Sequence, residues 1–360
     1  MQRMLLSFVS VAVALFGCAR SNPDTTAPAH TETQRIVLYT SVDDELARSI
    51  IERFEKETGV TVDILGDTEA TKTTGLVTRL MSEKDSPRCD VWWSSEPMGT
   101  ILLGSAGVLE PGAMRESVAE SWPSELRARD WSWVGTALRS RVVVYAPGRV
   151  DEPPTSMHEL MDPKYKGRLG MARPQFGTTR FQMVMLAGSW DLKYFEEWLE
   201  ALKANGVRLY DGNATVVRAV AMGEIDVGLT DSDDVWSGQK NKWDVEIARS
   251  EREPTDIPPA SRFYLPVDRI LIPNTVAVVR GAPNPELARQ LAAYLTSPAV
   301  ERLLYESSSG NHPVNAALRR ELGLPELVSG FGGPSLLPEY EGISAQSQQA
   351  IDACDRVLGP

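Results

Sequence analysis

The sequence predicts an α/β protein of two lobes, and three observations carry that prediction. Residues 35–93 alternate strand, helix, strand, helix and strand with short connections, which is the pattern of a parallel sheet. The same pattern resumes in residues 167–229. Between and after these halves lie two long extended runs, residues 133–145 and 270–279, each longer than an ordinary strand. Two such runs are what two lobes need if the chain passes from one to the other and back. The crossings are expected near residues 138–143 and 269–276, with no single sheet running through both halves.

The elements follow in order. Arg35-Ile36-Val37-Leu38-Tyr39 is an apolar run with the composition of a buried strand. A helix over 42–56 places Leu46, Ile50, Ile51 and Phe54 on one face. Ser41 and Asp44 at its start have capping spacing, and Gly59 closes it. Residues 60–65 form a second strand, 71–83 a second helix, and Cys89-Asp90-Val91-Trp92-Trp93 a third strand. After the first crossing, Pro153-Pro154 and Asp162-Pro163 punctuate a loop. A strand over 167–172 leads through Gly177, Thr178 and Thr179 into a helix over 180–190. Helices over 195–205 and 213–222 then feed the strand 225–229. Residues 237–262 read as polar and irregular, and helices over 285–295 and 298–307 follow the second crossing.

The chain has 360 residues, 42% hydrophobic and 24% charged, with a net charge of −12. This is the composition of a soluble globular protein, and the negative charge argues against a nucleic-acid partner. The first residues carry Arg3, then an apolar run over 5–16 too short for a membrane span, then Leu15-Phe16-Gly17-Cys18. That segment resembles a bacterial lipoprotein signal in which Cys18 is lipidated; an ordinary secretory signal is the alternative, and both predict export. Residues 19–34, rich in Ser, Thr, Pro and Ala, read as a tether. Cys89 and Cys354 remain for a disulfide, which spacing alone leaves open. His30, His158 and His312 are scattered, which disfavours a His-based catalytic triad.

The densest chemistry lies at Gly228-Leu229-Thr230-Asp231-Ser232-Asp233-Asp234-Val235-Trp236. A strand end delivers three carboxylates into four positions, the place where α/β proteins build ligand sites. Clustered carboxylates need a cation, a helix N-terminus or solvent, so a solvated turn capping the next helix is the competing reading. Gly177, Thr178 and Thr179 at a helix start suit an anion, and Arg139, Arg141 and Arg173 are cations within reach of such a site. Thr40, Ser41 and Thr68 also follow strand ends. Each of these residues is also explained by capping or surface charge.

Several segments together resemble the bacterial extracytoplasmic solute-binding proteins of ABC transporters, with the periplasmic ferric-ion-binding group the nearest branch. They are Val37-Leu38-Tyr39-Thr40-Ser41, Phe54-Glu55-Lys56-Glu57-Thr58-Gly59-Val60, Asp90-Val91-Trp92-Trp93-Ser94-Ser95-Glu96-Pro97, Asp162-Pro163-Lys164-Tyr165-Lys166-Gly167-Arg168, Ile272-Pro273-Asn274-Thr275 and Gly281-Ala282-Pro283-Asn284-Pro285-Glu286. The resemblance covers residues 35–315 and implies a type 2-like periplasmic-binding-protein fold, with two hinge crossings and a cleft between the lobes. It divides the chain into a signal segment 1–18, a tether 19–34, lobe 1 over 35–140 and 269–315, lobe 2 over 141–268, and a C-terminal segment 316–360 packed on the lobes.

Carried over residue by residue, the family's metal ligands fall on Asp43 with Tyr39 beside it, on Glu96, and on Asp233 and Asp234. The last two stand where the family has adjacent tyrosines, so phenolates become carboxylates. The resulting cage is all oxygen and suits Fe³⁺ or another hard cation such as Ca²⁺, Mg²⁺ or Mn²⁺. The resemblance further implies a synergistic anion at Gly177, Thr178, Thr179 and the arginines, an ABC permease as partner, a monomer, and a periplasmic, lipid-anchored location. Two alternatives stay open: the same fold holding an organic or phosphorus-containing anion, and an exported carboxylate-based hydrolase. Against the enzyme, the sequence has no nucleophile elbow, no H-E-x-x-H and no P-loop.

Overall fold

The structure, a computed structural model, describes residues 34–67, 73–250, 267, 270–324 and 343–359. Its strands are β1 (Arg35–Thr40), β2 (Thr61–Gly66), β3 (Val91–Ser94), β4 (Trp133–Tyr145), β5 (Leu169–Ala172), β6 (Arg208–Tyr210), β7 (Val227–Asp231), β8 (Glu246–Ile247) and β9 (Ile270–Val278). The helices are α1 (Asp44–Thr58), α2 (Thr74–Ser82), α3 (Pro97–Ser105), α4 (Gly177–Ser189), α5 (Leu192–Ala204), α6 (Asn213–Ala221), α7 (Ser232–Lys240), α8 (Pro285–Leu295), α9 (Pro298–Glu306), α10 (Ala316–Glu321) and α11 (Ile343–Leu358).

The fold is the mixed α/β, two-lobed one. In the first half β1 lies parallel to both β2 and β3; in the second, β5 lies parallel to both β7 and β6. The long strands β4 and β9 join the halves. β9 pairs antiparallel with β3 and β4, and the far end of β4 pairs antiparallel with β7. One expectation is corrected here. The crossings pair with each other, from Trp133 opposite Ala277 to Arg141 opposite Ile270, so hydrogen bonding runs unbroken along β2-β1-β3-β9-β4-β7-β5-β6. Two adjacent antiparallel crossings satisfy each other's backbone groups, whereas two separated ones would leave edges exposed.

The ladder is irregular at one point. Its register shifts between Thr136 and Leu138, and Ala137 takes a φ of 47°, a left-handed conformation that an alanine adopts only under constraint. Buried Glu301 of α9 supplies that constraint. Its Oε1 accepts from the Thr136 hydroxyl at 2.7 Å, the Ala137 amide at 3.2 Å and the Val314 amide at 2.8 Å, and its Oε2 accepts from the Asn315 amide at 2.9 Å. Asn274 Nδ2 holds the Ala137 carbonyl from the other crossing at 3.1 Å.

Helices cover both faces of the sheet. α1 buries Ala47, Ile50, Ile51 and Phe54 and ends at Gly59, whose φ of 74° makes the left-handed cap. α8 and α9 fill the same side with Leu291, Leu295, Val300 and Leu304. α4 and α5 bury Phe181, Leu186, Phe195 and Trp198, and α11 packs on them through Ala350, Ala353, Cys354 and Val357. Three local expectations change. Ser41 does not cap α1; Asp43 occupies the cap position, and the Ser41 hydroxyl meets those of Ser94 and Ser95 at 3.2 and 3.3 Å. Residues 237–250 are more regular than their polarity suggested, because α7 continues to Lys240 and β8 pairs with β4. Cys89 and Cys354 are buried free thiols, so no disulfide joins them.

Candidate functional site

Strand ends converge on one cleft of about 270 Å³. Val42 and Asp43 follow β1, Ser95 follows β3, Ala172 and Arg173 end and follow β5, Asp211 to Asn213 follow β6, and Asp231 ends β7. The carboxyl edge of a parallel sheet is where exposed loop groups meet without disturbing the core. The crossings add Arg139 and Asn274, the start of α4 adds Phe176 to Thr179, α7 adds Asp233 and Asp234, and Ser309 and Asn311 close one side.

Oxygens of Asp231, Asp233 and Asp234 lie within 4.8 Å of one another. The three do different work. Asp231 is buried and fully engaged: Oδ1 takes Arg141 Nη1 at 2.8 Å, and Oδ2 takes the Thr178 hydroxyl at 2.7 Å, Asn213 Nδ2 at 3.2 Å and Arg139 Nε at 3.4 Å. Burial works to raise its pKa, but Arg141, Arg139 and Thr178 outweigh it, and the carboxyl sits below its ordinary range. Asp233 has Arg139 Nε at 3.6 Å from its Oδ2, while its Oδ1 is buried with no hydrogen-bond partner. Burial pushes Asp233 up to about 6; Arg139 opposes this, and the Asp231 and Asp43 carboxylates reinforce it. Burial likewise works against the charge of Arg139, and Asp233, Asp231, Asp234 and Asp43 together more than restore it. Asp43 therefore belongs to the same electrostatic cluster from the opposite wall.

α4 opens into the cleft at Gly177. Phe176 at its cap position offers no side-chain cap, and its first turn carries no acidic residue. Thr178 and Thr179 are buried, their hydroxyls turned to Asp231 and Asn213. Arg173 lies at the lip with Nε 3.5 Å from Asp211 Oδ1.

Several predicted residues lie elsewhere. Tyr39 points into the core: its hydroxyl donates to Glu83 Oε2 at 3.0 Å, and burial, then Glu83, raises its pKa to about 12. Glu96 is 2% exposed and caps α3, accepting from the Met98 amide at 2.6 Å and the Gly99 amide at 3.0 Å. Burial pushes it up, and those amides partly offset the push. Neither residue lines the cleft. Arg141 lies behind the floor, donating to Gln182, Thr178, Asn213 and Asp231. Thr40 is buried and accepts from the Val42 amide, and Ser41 ties β1 to the loop after β3. Thr68 and Cys18 lie outside the described residues.

Sequence reasoning missed Asn213, Asn274, Asn311, Ser309, Phe176 and Asp211. Only Asn274 had a signal, inside the segment Ile272-Pro273-Asn274-Thr275. The others come from three separate segments, at 176, 211–213 and 309–311, that share no motif.

The family model for bacterial extracellular solute-binding proteins matches residues 37–307. Among curated proteins, the chain is 30% identical over 210 residues to an Fe(3+)-binding periplasmic protein of Serratia marcescens, covering 56% of this chain and 58% of that protein. It is 25% identical over 331 residues to the major ferric iron-binding protein of Neisseria meningitidis serogroup A, covering 90% and 91%. Iron-bound HitA from Pseudomonas aeruginosa superposes with a TM-score of 0.71 at 22% identity, over 88% of this chain and 99% of that one, which is a likeness of fold. Among the described residues no helix is long and apolar enough to cross a membrane.

Proposed function

The chain belongs to the bacterial extracellular solute-binding proteins, and on that premise we propose that it captures ferric iron in this cleft and delivers it to an ABC permease. The observation that carries the reading is the Asp231–Asp233–Asp234 cluster, in which one buried oxygen of Asp233 has no partner within the protein. A hard, highly charged cation takes such oxygens, and the relatives named for ferric iron make iron the first candidate. In this reading Asp233, Asp234 and Asp43 are the anionic ligands. Asp231, already matched by two arginines, anchors the floor. The family binds solutes rather than transforming them, and a binding role needs no nucleophile.

The uncapped start of α4, with Arg173 beside it, supports an anion held next to the metal. It also favours the second reading, an organic or phosphorus-containing anion as the cargo itself. Lobe boundaries at residues 35–140 with 269–315, and 141–268, fit hinge closure about β4 and β9. Lipidation at Cys18 completes the proposal, and Cys18→Ser is expected to move the protein from membrane fractions to the soluble exported pool. The cargo is tested by calorimetric titration of Fe³⁺, Mn²⁺ and Ca²⁺, with and without phosphate, on the parent and on Asp233→Ala/Asp234→Ala. Ferric binding abolished by the double substitution supports the reading; phosphate binding with no metal requirement replaces it with the second.

A further inference from the structure

Asn311 is 3% exposed, lines the cleft, and has a buried side-chain oxygen with no hydrogen-bond partner. A buried carbonyl oxygen left unmatched is costly, and most such groups in folded proteins find a partner. The segment carrying it is firmly held. Leu138 and His312 exchange backbone hydrogen bonds at 2.6 and 2.7 Å, which fixes the residue after Asn311 to the crossing strand. The His312 ring stacks on Trp236 of α7, with centroids 5.9 Å apart and planes 9° apart. On the other side Gly310 takes a φ of 59°, and a Cβ there would lie 2.8 Å from the Trp236 ring. Asn311 is thus pinned between the crossing strand that bears Arg139 and the helix that bears Asp233 and Asp234. A surface asparagine would need no such framing.

An amide oxygen is neutral and accepts hydrogen bonds. In a cleft that holds a hard cation, the strongest available donor is an O–H whose oxygen is bound to that cation, because coordination makes the hydrogen more acidic. We propose that Asn311 reads the coordination shell of the cargo, its side-chain oxygen accepting a hydrogen bond from a cation-bound O–H group. The inference rests on the ferric reading above and adds a neutral residue that recognises what the metal carries. Two sources supply the same chemistry: a coordinated water, or the hydroxyl of a hydroxy-acid chelator.

The test compares the parent, Asn311→Leu, Asn311→Ser and Asp233→Ala/Asp234→Ala. Each is titrated with ferric nitrilotriacetate, whose ligand has no hydroxyl, and with ferric citrate, whose ligand has one. Leucine keeps the volume and removes the acceptor. Serine is smaller and too short to reach, so it serves if leucine does not fold. The expected result is a loss of affinity of about tenfold in Asn311→Leu and Asn311→Ser. The ligand-free Asn311→Leu protein should melt no lower than the parent, since an unmatched polar atom has gone. A loss with both chelates assigns the donor to bound water, and a loss with citrate alone assigns it to the chelator; either supports the proposal. Parent-like affinity of the Asn311 variants for both chelates, with binding lost in the aspartate pair, overturns this inference and leaves the ferric reading standing. Absence of ferric binding by the parent overturns both.

Discussion

The pocket around Glu301 buries a carboxylate completely and the cleft around Asp233 buries one in part, and they treat it in opposite ways. Burial pushes both groups up, which is what removal from water does to an acid. Around Glu301 the protein then supplies a hydroxyl and three backbone amides. Around Asp233 it supplies one distant guanidinium contact, further carboxylates, and no partner for Oδ1. The donors around Glu301 come from the fold itself; the unmatched Asp233 oxygen, at the edge where strand ends meet, is the feature on which the proposed ligand role rests.

The largest expected effect is at the cleft. Asp233→Ala/Asp234→Ala removes the two carboxylates proposed as ligands and should weaken ferric binding by roughly two orders of magnitude or more. Removing crowded carboxylates also relieves repulsion, so urea denaturation of the ligand-free variant should show a midpoint no lower than the parent's.

Glu301→Ala should do the reverse. It strands four donors and opens a hole behind the bulge at Ala137, costing about 3–5 kcal/mol of stability by urea denaturation. The fraction that stays folded should bind cargo with close to parental affinity, because no Glu301 oxygen reaches the cleft lining. A larger loss of affinity than of stability would move Glu301 into the site.

The next effect is pH dependence. With its carboxyl near 6, Asp233 is protonated below that value and a cation must displace the proton. Affinity should be nearly flat above about pH 7 and fall by up to about tenfold per unit below pH 6. Calorimetry in buffers of different ionisation enthalpy should show proton release on binding at pH 5.5 that vanishes at pH 8.

The smallest effect lies outside both regions. Asp226 pairs with Arg149 and Arg168. Burial works to raise its pKa, but the two arginines prevail and lower it. A lowered carboxylate stabilises the fold above its unfolded-state pKa and loses that contribution as pH falls through the folded one. Both arginines are more than a third exposed, so solvent screens the pair, and Asp226→Asn should cost only about 1 kcal/mol at pH 7. The deficit relative to the parent should shrink toward pH 3.

The fold was legible because its signals are local. The apolar face of α1, the Gly59 cap and the lengths of β4 and β9 are properties of contiguous residues. The direction of side chains was not. In Ile36-Val37-Leu38-Tyr39 every position is apolar, so alternation gives no hint of face; Leu38 packs toward α1, and Tyr39 toward the opposite side with Leu76 and Leu80. The resemblance places Glu96 among the metal ligands, and in the structure it is buried as the cap of α3. The pairing of β4 with β9 was hidden because register is set by both strands at once. Asn213, Asn274 and Asn311 meet at the cleft only through that topology; the segment around Asn274 carries a family resemblance, and nothing in the residues flanking the other two announces it.

The proposed function stands or falls on whether the carboxylates of α7 hold the cargo cation. Anomalous diffraction at the iron absorption edge, on crystals loaded with ferric nitrilotriacetate, tests it most directly. One strong peak is expected in the cleft, about 2 Å from oxygens of Asp233 and Asp234. A peak elsewhere, or a cleft filled by an anion at the start of α4 with no iron signal, would contradict it.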